Sequence, residues 1–210
     1  AETMRKRRPQ WRVEHAVRWQ ELTQEIDEHL GAMLGSHDEK KTALSYVLRV
    51  GVSSLSSEHS FDRSVGYLLL QHLFKTHYPK TGSSDFRAKY VDMMASQYRN
   101  NLPIEELRLL VKVIAGLATP EHRDFVTWIA IAGPDWQTRV LALNGLTRCA
   151  QTYKTCRISK PVIDMIHDHH SDQRTRNALY VYAGLVQHKP VLKWCSTRLR
   201  GGFGSLECRD

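Results

Sequence analysis

The chain has 210 residues and a formal net charge of +8, with 41% hydrophobic and 25% charged residues. This length suits one folded domain, because single hydrophobic cores stay practical to about 250 residues, and the composition is that of a soluble globular protein. The longest apolar run, residues 125–133, is far shorter than the roughly 20 residues that span a bilayer, so we expect no transmembrane segment and no signal peptide.

Helix patterns follow one another at short intervals along the chain. From Val13 to Met33 apolar residues recur three or four positions apart, which is typical of an amphipathic helix. Pro103 and Pro120 each suit the first turn of a helix. No segment alternates polar and apolar residues as a half-buried strand does. We therefore predict an all-α fold of about ten helices in stacked antiparallel hairpins, covering residues 11–34, 37–50, 61–77, 85–99, 103–118, 120–133, 135–153, 161–170, 172–188 and 190–199.

One motif occurs twice. An Asp-x-x-Thr-Arg start lies at Asp135 and again at Asp172, 37 residues later, each after a turn and each before an apolar helix. A carboxylate in the first turn faces unpaired backbone amides, and Arg139 or Arg176, four residues on, lies on the same face of its helix. The pair therefore supports the helix start. The fixed spacing predicts stacked helical hairpins with equivalent corners.

Each of these helices begins Asp-x-x-x-Arg and follows another apolar helix and a short turn. In this it resembles the second helix of a HEAT repeat. The resemblance covers residues 120–187. It implies an α-solenoid in which the second helices line a groove that binds other proteins. Small residues lie where neighbouring repeats of this family pack, and the matching positions here are Ala142, Gly145, Ala178, Ala183 and Gly184.

Basic residues concentrate in the second half of the chain. Residues 120–210 hold 13 Lys and Arg against 8 Asp and Glu, a local excess of five positive charges. If the loops of successive hairpins line one edge, these groups form a stripe for phosphates or acidic side chains, although ordinary solvated loops have the same composition. The candidate residues for a nucleic acid or an acidic partner are Arg148, Lys154, Arg157, Lys160, Lys189, Lys193, Arg198 and Arg200. The candidates for contact with a protein are Trp136, Arg139 and Arg176.

Two enzyme hypotheses have weaker support. His167 and His170 lie three apart on a helix and could share a metal. His167-Asp168 in a helical chain also resembles the metal-dependent HD phosphohydrolases, for which His122 and Asp172 would have to supply the further ligands. The HEAT-like DNA glycosylases resemble the chain in size and charge, with Trp128, Trp136, Asp135 and Arg139 as candidates for recognition of a damaged base. Neither family's full motif is present. We therefore predict no catalytic residue, metal ligand or cofactor.

Apolar and aromatic residues are assigned mainly to the core. Among the tryptophans, Trp11, Trp19, Trp128 and Trp194 are expected to face inward, and Trp136 is the one that we expect to be exposed. The helix at 85–99 is expected to bury Phe86, Tyr90, Met93, Met94 and Tyr98.

The four cysteines predict neither a disulfide framework nor a zinc site, because none forms a Cys-x-x-Cys pair. Cys149 is expected to be a small core residue. This pattern favours an intracellular protein, nuclear or cytoplasmic.

The sequence thus predicts a basic arm (1–10), one helical-repeat domain (11–200) and an irregular tail (201–210). The expected function is a non-enzymatic scaffold that binds another protein within a larger intracellular assembly. The alternative is a helical domain, nuclear or viral, that binds DNA or RNA through its basic edge.

Overall fold

A computed structural model describes residues 37–77, 84–99, 101–170 and 172–200, with residues 21, 24, 25, 27 and 28 before them. Within these ranges the side chains of residues 37–41, 84, 194, 195 and 197–200 are not described. All regular structure in this part of the chain is helical, which confirms the all-α prediction. The helices are α1 (His37–Ser54), α2 (Ser60–Thr76), α3 (Ser84–Ala95), α4 (Ile104–Leu117), α5 (Arg123–Ala132), α6 (Trp136–Thr152), α7 (Lys160–His169), α8 (Gln173–Leu185) and α9 (Lys189–Arg200), with short 3-10 turns at Pro120–His122 and Lys154–Cys156.

The helix order matches the prediction, and most differences are at helix ends. The five described residues before residue 37 are helical, within the first predicted helix. Helix α1 continues to Ser54 where we expect a serine-rich loop, because the Ser54 hydroxyl donates to the Val50 carbonyl, 3.0 Å away, without leaving the helix. Helix α3 stops at Ala95, four residues early, and the Ser96 hydroxyl donates to the carbonyl of Met93 at 2.8 Å.

The described residues up to residue 77 belong to one compact unit, in which α1 packs against α2. Each helix brings a glycine to the crossing. A Cβ atom placed at Gly66 would lie only 2.8 Å from the carbonyl oxygen of Gly51, so the two backbones approach too closely for a larger residue. The core of this unit includes Leu70 and Leu73, which are completely buried.

Residues 80–210 form a second compact unit, and α6 packs there against α4, α5 and α8. Gly145 permits the contact with α4, since a Cβ atom at this position would lie 2.9 Å from the Cα atom of Ala115. Three of the other four small positions noted in the sequence, Ala142, Ala178 and Ala183, are buried as expected. The fourth, Gly184, is exposed, and a Cβ atom there would meet nothing within 4 Å.

The two compact units divide the residues that the sequence assigns to one domain, 11–200, between Pro79 and Lys80. The predicted arm at 1–10 and the predicted tail at 201–210 lie outside the described residues. Among the described helices, none is long and apolar enough to cross a membrane.

Some aromatic residues lie on the surface rather than in the core. Trp128 is 45% exposed, contrary to expectation, because it lies on the outer side of α5 and contacts the rings of Tyr98 and Phe125. Phe86 is also exposed, while Met94 of the same helix is completely buried. Trp11 and Trp19 lie outside the described residues, as does the side chain of Trp194.

The cysteine prediction was wrong in one respect. Cys149 and Cys156 form a disulfide, with Cα atoms 5.6 Å apart. Cys149 lies in the last turn of α6, and the 3-10 turn at Lys154–Cys156 brings the chain back over that helix end. Both residues are buried, as expected for Cys149. Because disulfides persist mainly in oxidising compartments, the pairing removes the sequence argument for an intracellular location.

Candidate binding surface

The helices of the second unit meet at two opposite ends, which differ in chemistry. One end, here called the corner end, contains the starts of α6 and α8. Asp135 begins α6 by accepting hydrogen bonds from the amides of Gln137 (2.7 Å) and Thr138 (3.0 Å). Asp172 begins α8 in the same way, accepting from the amide of Thr175 at 2.7 Å. Both aspartates therefore act as N-caps, which satisfy amides that lack a partner within the helix.

Arginines link these corners to one another. Arg139 of α6 donates to the carboxylate of Asp172 at 2.9 Å and to the carbonyl of Gly133 at 2.9 Å. Arg108 of α4 makes the equivalent contact with Asp135 at 3.4 Å. The expected pairing of Arg139 with Asp135 inside one helix is thus replaced by pairings between alternate helices, from α4 to the start of α6 and from α6 to the start of α8. Asp135 and Asp172 mark neighbouring corners, as the motif spacing predicts.

The ends of α5 and α7 complete the corner end. The His170 ring nitrogen Nε2 is 2.9 Å from the carbonyl oxygen of Ile131, which can only accept. Arg176 donates to the His170 carbonyl at 2.8 Å. Four successive helices therefore reach one place: α5 and α7 end there, and α6 and α8 begin there.

Ionisation at the corner end follows these contacts. Burial raises the pKa of Asp172, but the bonds from Thr175 and the Arg139 guanidinium outweigh it, so the pKa lies below its ordinary value. Burial also raises the pKa of Asp135, but the Thr138 bonds, the Arg108 charge and the Gln137 amide outweigh it. The pKa of Asp135 is therefore lowered as well. Burial, followed by the Arg139 charge, lowers the pKa of His170. The corner therefore favours charged aspartates and a neutral imidazole.

The opposite end, here called the basic end, comprises Lys154, Arg157, Lys160 and Lys189. These residues lie in the turn after α6, at the start of α7 and at the start of α9. All four are exposed. Within the described residues, none of them makes an ion pair with a carboxylate.

Several contacts, some buried and some exposed, bring the segments of the basic end together. The Ile158 amide donates to the hydroxyl of Tyr182 in α8 at 2.7 Å. His188, just before α9, lies with Nε2 3.4 Å from the carboxylate of Asp164 in α7. Arg123, at the start of α5, donates to the Thr155 carbonyl at 3.1 Å. The disulfide Cys149–Cys156 then holds the turn against the end of α6.

The charges at the basic end also act on the buried Tyr182 hydroxyl. Burial raises the pKa of Tyr182, and the Ile158 amide together with the charges of Arg157 and Arg123 opposes that rise. Arg123 is itself paired with Asp124 at 2.8 Å, so its charge is offset locally.

The remaining predicted basic residues extend the surface along the helices. Arg148 is exposed near the end of α6, and Lys193 is exposed in α9, where it has interactions of its own. Arg198 and Arg200 belong to α9, but their side chains lie outside the described part.

The three residues predicted to contact a protein lie near the corner end. Trp136 is half-buried rather than exposed, because the Arg174 guanidinium of α8 covers its ring, 4.2 Å from the ring centroid. Arg139 and Arg176 make the intramolecular bonds described above, which is the structural role that the motif indicates.

The outer face between the two ends carries mixed side chains. On α6 the exposed residues include Asn144 and Arg148, and on α8 they include Asn177 and Val181, the latter 63% exposed. Helices α6 and α8 pack against each other, and both run from the corner end to the basic end.

The residues of the enzyme hypotheses take part in separate contacts. Within the described part, His122 faces Asp92 at 3.0 Å, Asp172 faces Arg139, and His167 faces Asp168 at 3.2 Å. Trp128 and Trp136 lie on α5 and α6, the former in an aromatic cluster and the latter under Arg174.

No protein-family model matches the chain, and no curated protein matches it in sequence. The interpretation of its function therefore depends on the two ends and the face between them.

Proposed function

We propose that this protein is a non-enzymatic helical scaffold that binds an acidic segment of another protein. The observation that carries the proposal is the basic end, where Lys154, Arg157, Lys160 and Lys189 gather from three segments and stay exposed without carboxylate partners. Four like charges held close together favour an anionic partner, because none of them forms an ion pair with a carboxylate of the described residues.

The outer face of α6 and α8 favours a protein over a nucleic acid. Asn144 offers both a donor and an acceptor, which matches a peptide backbone. Asn177 adds amide donors, while its Oδ1 accepts from Gln173 Nε2 at 2.7 Å. Val181 adds an exposed apolar side chain. The charged phosphate backbone of a nucleic acid would gain nothing from burying such a side chain. Acidic protein segments that bind helical scaffolds carry both acidic and apolar side chains, so this mixed face suits them.

The Asp-to-Arg links between successive corners support a further proposal, that residues 120–187 are a pair of HEAT-like repeats. In a solenoid of this kind each layer contacts only its neighbours, and the second helices form a long surface. Helices α6 and α8 would be those second helices, and the basic end would lie along one edge of the surface.

A pull-down from native extract, with and without nuclease, tests the proposal. The bait is the full chain, compared with the double charge reversal K154E/R157E. We expect wild-type protein to retain a partner after nuclease treatment and the reversed variant to lose it, because two attractive charges become repulsive. The matched control is K112E, which reverses one exposed lysine on α4, away from the basic end, and should retain the partner.

Titration of a generic DNA duplex separates the two classes of partner. Binding to phosphates falls steeply as salt rises, with a slope set by the number of neutralised phosphates. A wild-type partner that disappears with nuclease, together with salt-sensitive duplex binding that K154E/R157E abolishes, would replace the proposal with a nucleic-acid-binding domain. Equal retention by K154E/R157E and K112E would remove the basic end from recognition altogether.

A further inference from the structure

Three potential metal ligands converge in the first compact unit, on residues far apart in sequence. The Nε2 atoms of His72 and His77 lie 3.0 Å and 2.9 Å from the same carboxylate oxygen, Oδ1 of Asp27. The three ligand atoms all lie within 4.8 Å of one another. The two imidazole rings stand edge to face, with centroids 5.8 Å apart. Both rings therefore direct the same nitrogen toward one point.

The positions of the two histidines explain this convergence. His72 lies in the last turns of α2, and His77 is the residue that caps the helix, its amide donating to the Leu73 carbonyl at 2.9 Å. Residues five apart do not share a face of a continuous helix. Both rings nevertheless reach one oxygen of Asp27, which approaches the end of α2 from an earlier part of the chain. Asp27 is one of the five described helical residues before α1.

The spacing and chemistry suit a divalent transition metal. Zinc bonds of about 2.0–2.2 Å to nitrogen and oxygen at tetrahedral angles place ligand atoms about 3.3 Å apart, close to the observed 2.9 and 3.0 Å. Two imidazoles and one carboxylate are ligands that zinc accepts, with water completing the tetrahedron. The carboxylate also supplies a negative charge that two uncharged imidazoles lack.

Access and burial fit as well. The side chains of His72 and His77 are 17% and 13% exposed, whereas that of Asp27 is 43% exposed. The imidazoles are thus held by their surroundings, and the carboxylate side remains open to water and to an incoming ion. Such an ion would join Asp27 to the end of α2.

We propose that Asp27, His72 and His77 form a site for a divalent transition cation of the zinc type, which cross-links two segments of the first unit. Without metal, the imidazoles donate their Nε2 protons to Asp27. To bind the ion, each imidazole takes the tautomer with its proton on Nδ1, so that the Nε2 lone pair is free for the metal. This site is independent of the basic end and of any partner bound there.

Metal titration of the full chain tests the site. Protein prepared without a histidine tag and stripped with chelator is titrated with zinc chloride by calorimetry, and bound zinc is counted by mass spectrometry after dialysis. We expect one zinc ion per chain. Since changing a group that merely supports a ligand costs about 10- to 100-fold in affinity, H72Q and H77Q should each weaken binding at least that much.

The controls separate ligand loss from unfolding. H59Q changes an exposed histidine of the same unit, at the start of α2, whose side chain makes no capping bond, and it should bind zinc as wild type does. D27N keeps the shape of the carboxylate and should also lose binding, with an unchanged far-ultraviolet circular dichroism spectrum. Cobalt should give visible bands of a nitrogen–oxygen site without sulfur charge transfer.

Three results would overturn the site. The first is wild-type protein that retains no zinc, which would leave a purely hydrogen-bonded cluster. The second is zinc binding that H72Q, H77Q and D27N leave unchanged. The third is a sulfur charge-transfer band with cobalt, which would move the metal to the cysteines.

Discussion

The corner end and the basic end of the second unit use the same kind of residue in opposite ways. At the corner end, the Arg139 side chain is only 14% exposed and is bonded to Asp172. At the basic end, Arg157 is exposed and has no carboxylate partner among the described residues. The difference arises from the neighbours that the chain supplies. Each helix that begins at the corner end starts with an aspartate, whereas the segments at the basic end contribute lysine and arginine.

This contrast divides stability from recognition. A charged side chain that is paired and partly buried contributes to folding, and its hydrogen-bonding groups are already occupied within the protein. A charge that is held in place by other contacts, and stays in water, adds little to folding but remains available. At the basic end the contacts that fix the backbone are the Cys149–Cys156 disulfide and the bond from Ile158 to Tyr182. They leave the nearby lysines exposed.

Removing one arginine from each end tests most directly whether the two ends differ in their contribution to stability. We expect R139M to lower the free energy of unfolding by about 2 to 3 kcal/mol, because Asp172 and the buried Gly133 carbonyl both lose a charged donor. R157M should change the free energy of unfolding by less than about 0.5 kcal/mol, as exposed charges usually do. Urea unfolding followed by circular dichroism measures both.

The methionine replacement keeps most of the length of the arginine, so the comparison isolates the guanidinium group. R108M serves as a second case at the corner end, with a smaller expected loss because its contact with Asp135 is longer, at 3.4 Å. If R139M and R157M were equally stable, the division between the ends would be wrong.

The elements of this division differ in how far the sequence predicts them. Asp135 and Asp172 are predictable as helix starts, because a carboxylate just before an apolar helix can accept hydrogen bonds from the unpaired amides of its first turn. Their fixed spacing predicts neighbouring corners. The exposure of Lys154 and Arg157 follows from their position in a loop. These features depend on residues close together in sequence.

Features that join distant segments are not predictable in this way. Periodicity identifies the face on which Arg139 lies but not the helix that this face meets, so its bond to Asp172 rather than to Asp135 appears only in the structure. The same holds for the convergence of Asp27 with His72 and His77, 45 and 50 residues away. Nor does the distance of seven residues between Cys149 and Cys156 show that the chain reverses there.

The substitution D172N has a smaller expected effect and tests the carboxylate charge at the corner end alone. In D172N the amide can still accept from the Thr175 amide, but it loses the charge that attracts Arg139. We expect a loss of about 1 kcal/mol at pH 7. The folded-state pKa of Asp172 is below its ordinary value. Its contribution is therefore present above the unfolded pKa, near 4, and disappears as the pH falls through the folded pKa. The stabilities of wild type and D172N, measured by urea unfolding, should thus converge as the pH falls below the unfolded pKa. A difference that persists at the lowest pH would trace to the cap and not to the charge.

The smallest expected effect concerns His170, which contributes no carboxylate but connects α7 to α5. Its pKa is lowered by burial and by the Arg139 charge, so the folded protein prefers the neutral imidazole. Stability from this preference is fully present above the unfolded pKa, near 6.5, and is lost as the pH falls through the lower folded pKa. We expect wild type to lose up to about 1 kcal/mol between pH 7 and pH 5 relative to H170Q, because glutamine can donate to the Ile131 carbonyl without titrating. If the free energy of unfolding of wild type changed with pH in parallel with that of H170Q, the pKa of His170 would be the same in the folded and unfolded chains. The corner end would then not favour the neutral imidazole.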